Sequence, residues 1–195
     1  MADSDSFELK LKEMNRYSLV LLFCIFNLSA FQAQTCQEVN TLLTAISQVE
    51  NSKEISQSEA GQKLIACGEG ALRVLPDFFN DPTPTEVYSD CQNRNLTKGE
   101  VAIIMADRLD RMPYGTLTGV QNCTLTFCEG NANFIEYYLP WIVKDGVTAF
   151  TERYREWLED PDRIEFAPFS GRREKRARKR RINKYNKQQA KAARG

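Results

Sequence analysis

Apolar side chains recur along most of this chain at three- and four-residue intervals, the spacing of helices that bury one face. Val39, Leu42, Leu43, Ile46 and Val49 share such a face and predict a helix from Gln37 to Glu50. After the polar stretch NSKEISQSE, the positions Leu64, Ile65, Ala71, Leu72, Leu75, Phe78 and Phe79 predict two short helices broken near Gly68 and Gly70. Pro76 kinks the second, and the run NDPTPT from Asn80 to Thr85 stops it. Glu86 to Asn95 is polar, with Val87 and Tyr88 as anchors, and reads as a loop or an isolated strand. Thr97-Lys98-Gly99-Glu100 is a capping box, in which the Thr hydroxyl and the Glu carboxylate each satisfy the other's backbone N–H. It opens a helix whose buried stripe is Val101, Ile104, Met105 and Leu109, ended by Pro113.

Pro113 to Phe127 carries both periods. Leu117, Val120, Cys123 and Phe127 are spaced for a helix, whereas CTLTF alternates as a strand does; the helical neighbours tip the reading toward helix. Asn133-Phe134-Ile135-Glu136 matches a second capping box and opens FIEYYLPWIVK, kinked at Pro140. Val147, Phe150, Tyr154, Trp157 and Leu158 then mark an amphipathic helix that Pro161 ends. The fold class that follows is mostly α: a small bundle or short stack of roughly five helices.

The segment LIACGEGALRVLPDFFNDPTPTEV, residues 64–87, resembles a single HEAT-type repeat: a Gly-centred turn, the pattern A-L-x-x-L-P-x-hydrophobic, then Asp-Pro. The resemblance implies antiparallel helix pairs that stack into a binding surface, and proteins of that kind are rarely enzymes.

The N-terminus departs from the helical pattern. Leu19 to Phe26 is an unbroken apolar run behind Arg16, and small and polar residues follow. That order reads as a secretory signal over residues 1–33, with Met14 as an alternative start. The run is short of the roughly 20 apolar residues that a spanning helix needs. The alternatives are an uncleaved membrane anchor over residues 17–33 and a buried core helix. A helical globular domain over residues 34–166 and a basic, disordered tail over residues 167–195 complete the organisation.

Composition sharpens this picture at three points. The chain of 195 residues has 26 basic and 26 acidic side chains, hence no net charge, yet residues 172–195 carry 12 basic against 1 acidic. Such a tail has too little apolar surface to fold alone, and its charge density suits polyanions. The polyanion-binding candidates are Arg172, Arg173, Lys175, Arg176, Arg178, Lys179, Arg180 and Arg181. Partners of matching chemistry are an anionic polymer, a membrane surface or an acidic protein; an export signal argues against nucleic acid. Because the remaining chain is acidic, the tail also has candidate partners on its own body or on a second copy.

The second point is the absence of histidine. It excludes Ser-His-Asp and Cys-His catalysis and every zinc site with a His ligand. The third is cysteine usage. Cys24 lies in the signal, which leaves Cys36, Cys67, Cys91, Cys123 and Cys128 as disulfide candidates in an exported protein. Their spacing does not fit a metal site, and no cofactor motif is present, so neither metal nor cofactor is expected.

Asp77, Asp81, Asp90, Glu100, Asp107 and Asp110 surround the middle helices. Two of them would suffice for general acid–base hydrolysis of a glycan. Local roles account for them as well: Glu100 caps, Asp77 and Asp81 end a helix, and Asp107 pairs with Arg111 at i,i+4 on a surface. No catalytic residue is assigned. The aromatic set Phe134, Tyr137, Tyr138, Trp141, Phe150, Tyr154 and Trp157 suits a stacking groove, but its helical spacing favours core. Asn95 and Asn122 begin N-glycosylation triplets. The reading that joins these features is an exported, non-enzymatic binding protein with an acidic helical body and a basic tail. The alternative is a small carboxylate-dependent cell-wall or glycan hydrolase.

Overall fold

The structure, a computed structural model, describes residues 38–121, 127–160, 163 and 171–194. The candidate signal or anchor segment, Cys36, Cys123 and the Asn122 triplet lie outside the described residues. The protein is mostly helical, with eight α-helices and one two-stranded sheet among the described residues.

Helix α1 spans Val39–Ile46 and buries Val39, Leu43 and Ile46, as the periodicity predicts, but it stops earlier than Glu50. Helices α2 (Glu59–Cys67) and α3 (Glu69–Val74) meet at Gly68, whose φ of 57° turns the chain in a conformation that disfavours a side chain. A 3-10 turn, Leu75–Phe78, follows over Pro76. The sequence expectation of about five helices becomes eight among the described residues: Gly and Pro cut the apolar stretches into shorter helices, and the basic C-terminal segment adds one more.

Residues 84–97 correct the loop reading. Strand β1 (Pro84–Ser89) pairs antiparallel with β2 (Arg94–Thr97), with Tyr88 opposite Asn95 and an irregularity between Pro84 and Tyr88. On β1, Thr85, Val87 and Ser89 alternate inward. Its other edge is taken by the loop after α1: Tyr88 N–H donates to Glu50 O and Ser52 N–H to Tyr88 O, each at 2.9 Å. The strand was illegible as half of a hairpin because its partner, RNLT, is short and polar and pairs by backbone rather than by apolar contact.

Helix α4 (Lys98–Leu109) is the centre of the fold, and ten of its residues are buried. The predicted capping box starts it: Glu100 N–H donates to Thr97 Oγ1 at 3.2 Å, and Thr97 N–H donates to Glu100 Oε2 at 2.8 Å. Arg94 adds a bidentate ion pair to the same carboxylate, at 2.8 and 2.5 Å. The buried surface is not a stripe. Val101 through Asp107 are all covered, because α1, α2, α3 and the hairpin surround the helix. Helix α4 enters so close to the preceding turn that a Cβ on Gly99 would lie 2.3 Å from Phe79 O.

The ambiguous stretch after Pro113 begins as one helical turn, α5 (Tyr114–Thr118), closed by Gly119 in a left-handed conformation. The second predicted capping box is not formed. Residues Phe134–Tyr138 make a 3-10 turn, and Asn133 gives it no side-chain cap. The Glu136 carboxylate instead lies fully buried, accepting from Ser89 Oγ and from Asn131 Nδ2 at 3.0 Å. Asn133 Nδ2 donates to Ser52 O at 2.6 Å. These long-range partners outcompete the local cap. Cys91 and Cys128 form a disulfide beside them, with Cα atoms 5.8 Å apart; Cys67, at the end of α2, is half-buried.

Helices α6 (Leu139–Asp145) and α7 (Val147–Glu159) follow, and α7 buries Phe150, Tyr154, Trp157 and Leu158, as expected. Finally, the tail expected to be disordered is a helix, α8 (Arg172–Ala192).

Replacing Gly99 by Ala forces a methyl into backbone at the entry to α4, and an expected loss of about 3 kcal/mol in urea unfolding follows. Thr97→Ala, which removes only one half of the capping box, is expected to cost about 1 kcal/mol in the same measurement.

Candidate functional site

Helix α8 is built from strong helix formers, with Glu174 in its first turn and Lys191 in its last, both favourable to the helix dipole. Its like charges oppose it: Arg172, Arg176, Arg180 and Lys184 repeat at i,i+4. Contacts with the body supply what the isolated segment lacks. Arg178 is 5% exposed and reaches inward to the end of α4. There its Nε donates to Asp110 Oδ1 at 2.7 Å, its Nη1 to Arg163 O at 2.9 Å and its Nη2 to Arg111 O at 3.1 Å. One turn on, Arg181 Nη1 donates to Leu109 O at 2.6 Å, and its Nη2 lies 3.0 Å from Asp110 Oδ1. Further along, Arg73 of α3 stacks on the Tyr185 ring at 4.8 Å.

Four of the charges here are buried: Glu69, Asp110, Arg163 and Arg178. Arg163 Nη2 contacts both Glu69 oxygens at 2.6 Å and stands 3.7 Å from Asp110 Oδ2. The Arg163 and Arg178 guanidiniums both lie over the Trp157 ring, at 5.5 and 5.8 Å. The two buried carboxylates thus balance the two buried guanidiniums, and the partly exposed Arg181 and Arg73 add further cations to Asp110 and Glu69. The Arg178 and Arg181 cations also satisfy backbone carbonyls at the negative end of α4. A single buried charge at this point would be costly; the mutually paired set is tolerated.

A cavity of about 550 Å³ lies between α8, the end of α4 and the 132–138 segment. One wall is aromatic: Tyr114 and Tyr138 stack with centroids 4.8 Å apart, and Phe134 packs on both. Another wall carries Arg108 and Arg111, and α8 closes the third with Ala177, Arg178 and Arg181. Asp107 faces the same space. It is not the surface partner of Arg111 that i,i+4 spacing suggests, because α4 is buried all round. Its Oδ1 accepts from Met112 N–H at 2.9 Å and its Oδ2 from Tyr114 Oη at 3.0 Å. Burial disfavours the carboxylate and pushes its pKa up to about 6, against the two hydrogen bonds. Burial and the Asp107 charge also push the Tyr114 hydroxyl well above its ordinary value.

The predicted polyanion residues divide into two groups. Arg172, Arg173, Arg176, Lys179 and Arg180 are exposed, Lys175 is half-buried, and Arg178 and Arg181 turn to the body. Lys184, Lys187 and Lys191 extend the exposed row. Of the aromatic set, Tyr138, Phe150, Tyr154 and Trp157 are core, while Trp141 is 40% exposed. Sequence reasoning passed over Glu69, Arg163 and Tyr114. It also missed the burial of Asp107 and Asp110, although an acidic residue inside the nearly continuous apolar run VAIIMA-D-RL is itself a signal of a buried carboxylate. Among the described residues, no group of three or more Cys, Asp or Glu is placed to hold a metal ion. No protein-family model, curated protein or solved structure matches the chain.

Two measurements probe this site. Asp107 holds its proton more tightly folded than unfolded, so its contribution favours folding at low pH and is lost as pH rises from its ordinary 3.8 through about 6. Asp107→Asn removes that dependence. The stability of the variant relative to wild type is expected to rise by about 2 kcal/mol between pH 4 and pH 7.5. Asp110→Ala leaves Arg178 buried without its carboxylate. The expected outcome is a loss of about 3 kcal/mol or undocking of α8, seen as lost amide protection confined to residues 172–192.

Proposed function

We propose that this is an exported, non-enzymatic binding protein that engages an anionic polymer through the outer face of α8. One observation carries the reading: Arg172, Arg173, Arg176, Lys179, Arg180, Lys184, Lys187 and Lys191 share the solvent side of a docked helix. None of them is in an ion pair among the described residues. Phosphate, sulfate or carboxylate groups along a polymer relieve the i,i+4 repulsion, and counterion release drives the association.

The half-buried Ile182 and Tyr185 lie on the body side of α8, so the outer face has no apolar stripe with which to enter a bilayer. That favours a polymer over membrane insertion. Export fits the Cys91–Cys128 disulfide, since such bonds persist in oxidising compartments. Among the described residues no helix is long and apolar enough to cross a membrane. The HEAT-like pattern of residues 64–87 fits a binding role as well. The acidic body has a use in this reading: Asp110 engages the tail's own Arg178 and Arg181, which sets the helix in place with the eight exposed cations outward.

A second reading, a small carboxylate-dependent glycan hydrolase, draws on Asp107, an acid poised near pH 6 beside an aromatic-walled cavity. It needs a second carboxylate, and the neighbouring Asp110 is held by two guanidiniums.

Retention of the full chain on polyphosphate is expected to fall steeply with salt. Arg176→Ala with Arg180→Ala should reduce the magnitude of the log–log slope by about 1.5–2 without lowering thermal stability. Equal salt dependence in the variant and wild type would exclude the outer face of α8 as the binding element.

A further inference from the structure

We propose that the cavity beneath α8 binds a small anion with a flat apolar ring, an aryl carboxylate or aryl phosphate, independently of the polymer face. The ring would lie against Tyr114, Phe134 and Tyr138, whose mixture of stacked and edge contacts already forms an aromatic wall. Aromatic walls with a few convergent polar groups are the usual form of a small-molecule site.

The sign of the ligand's charge follows from which polar atoms remain uncommitted. Both Asp107 oxygens accept hydrogen bonds, and Asp110 Oδ1 is shared by two guanidiniums. Asp110 Oδ2 has no hydrogen bond among the described residues but stands 3.7 Å from Arg163 Nη2, which offsets its charge, and the one further carboxylate on the lining, Glu174, is exposed on α8; three acids thus face four arginines, Arg108, Arg111, Arg178 and Arg181. The donors are in excess. Among the described residues Arg108 uses only its Nε, on Asn133 Oδ1 at 2.7 Å, which leaves both terminal nitrogens for a ligand. The Arg111 guanidinium is exposed at the rim and enters no ion pair among the described residues. Arg181 adds positive charge on the opposite wall, with its terminal nitrogens on Leu109 O and Asp110 Oδ1. A carboxylate or phosphate between these groups gains charge-assisted hydrogen bonds that an amine would not. Because Ala177, Arg178 and Arg181 form one wall, occupancy also favours the docked position of α8.

The experiment is calorimetric titration of the full chain with phenyl phosphate, benzoate, inorganic phosphate and benzylamine. Phenyl phosphate or benzoate is expected to bind with Kd below about 1 mM, and whichever is tighter tells which anion the site takes. The loss on Arg111→Ala is expected to be about tenfold. Ala132 and Ala177 are exposed positions on the cavity wall, so Ala132→Trp and Ala177→Trp fill it from two sides; either variant that keeps the wild-type circular dichroism should abolish binding. Arg176→Ala with Arg180→Ala, on the outer face, should leave it unchanged, and bound ligand should slow amide exchange in residues 172–182. The proposal is overturned if neither aryl anion binds below about 10 mM or if benzylamine or inorganic phosphate binds as tightly. Full affinity in a folded Trp variant, or loss of affinity in the outer-face variant, overturns it equally. A chain that binds aryl anions but not polyphosphate keeps this site and loses the polymer reading, and the converse holds.

Discussion

The pairing of Glu69 and Asp110 with Arg163 and Arg178 is the constraint on which the second half of this molecule depends. Its four members come from α3, the end of α4, the segment after α7, and α8, so no two are neighbours in sequence. Each would be expensive to bury alone, because desolvating an ion costs several kcal/mol. Together the four charges balance, the two guanidiniums share Trp157 as a ring platform, and Arg178 satisfies the Arg111 carbonyl beyond the end of α4. The cluster therefore works as an all-or-none joint: removing one member strands another. That is how a segment with almost no apolar surface is held against the body, with Arg181 joining Arg178 on the inner side and most of the other cations projecting outward.

A second polar joint holds the hairpin. Glu136, fully buried, ties Ser89 of β1 to Asn131, and Asn133 links the same segment to Ser52 and to Arg108. The Cys91–Cys128 disulfide closes the turn beside it. This joint fixes Phe134 and Tyr138, and through Asn133 it orients Arg108, so the aromatic and basic walls of the cavity are positioned by one network. The two joints meet across the cavity, one setting α8 and the other setting the wall opposite.

Legibility in the sequence followed the range of the interaction. Thr97 and Glu100 cap as the local motif requires, since both partners lie within one turn. Val147 to Leu158 form the expected amphipathic helix for the same reason. The matching motif at Asn133 and Glu136 failed, because Ser89 of β1 donates to that carboxylate in a buried site while the Asn133 amide donates to Ser52 O in the 51–52 loop. Asp107 looked like a surface residue at i,i+4 from Arg111, and only the helices packed on every side of α4 make it a buried acid. The basic tail reads as disordered from its composition, whereas it forms a helix that rests on acceptors more than sixty residues away, at Asp110 and Leu109.

By itself, then, the sequence determined the mostly helical class, the capped start of α4, the breaks at Gly68 and Pro76, the lack of histidine chemistry and the separation of an acidic body from a basic end. These depend on composition and on contacts within a few residues, which the order of side chains states directly. The tertiary structure alone decided that two of the tail arginines face inward while the rest stay outside, that Asp107 is buried and holds its proton to about pH 6, and that Tyr114, Phe134 and Tyr138 come together with Arg108 and Arg111 around one cavity. Those outcomes turn on desolvation, and a charge's solvent exposure is set by whatever the rest of the chain packs around it.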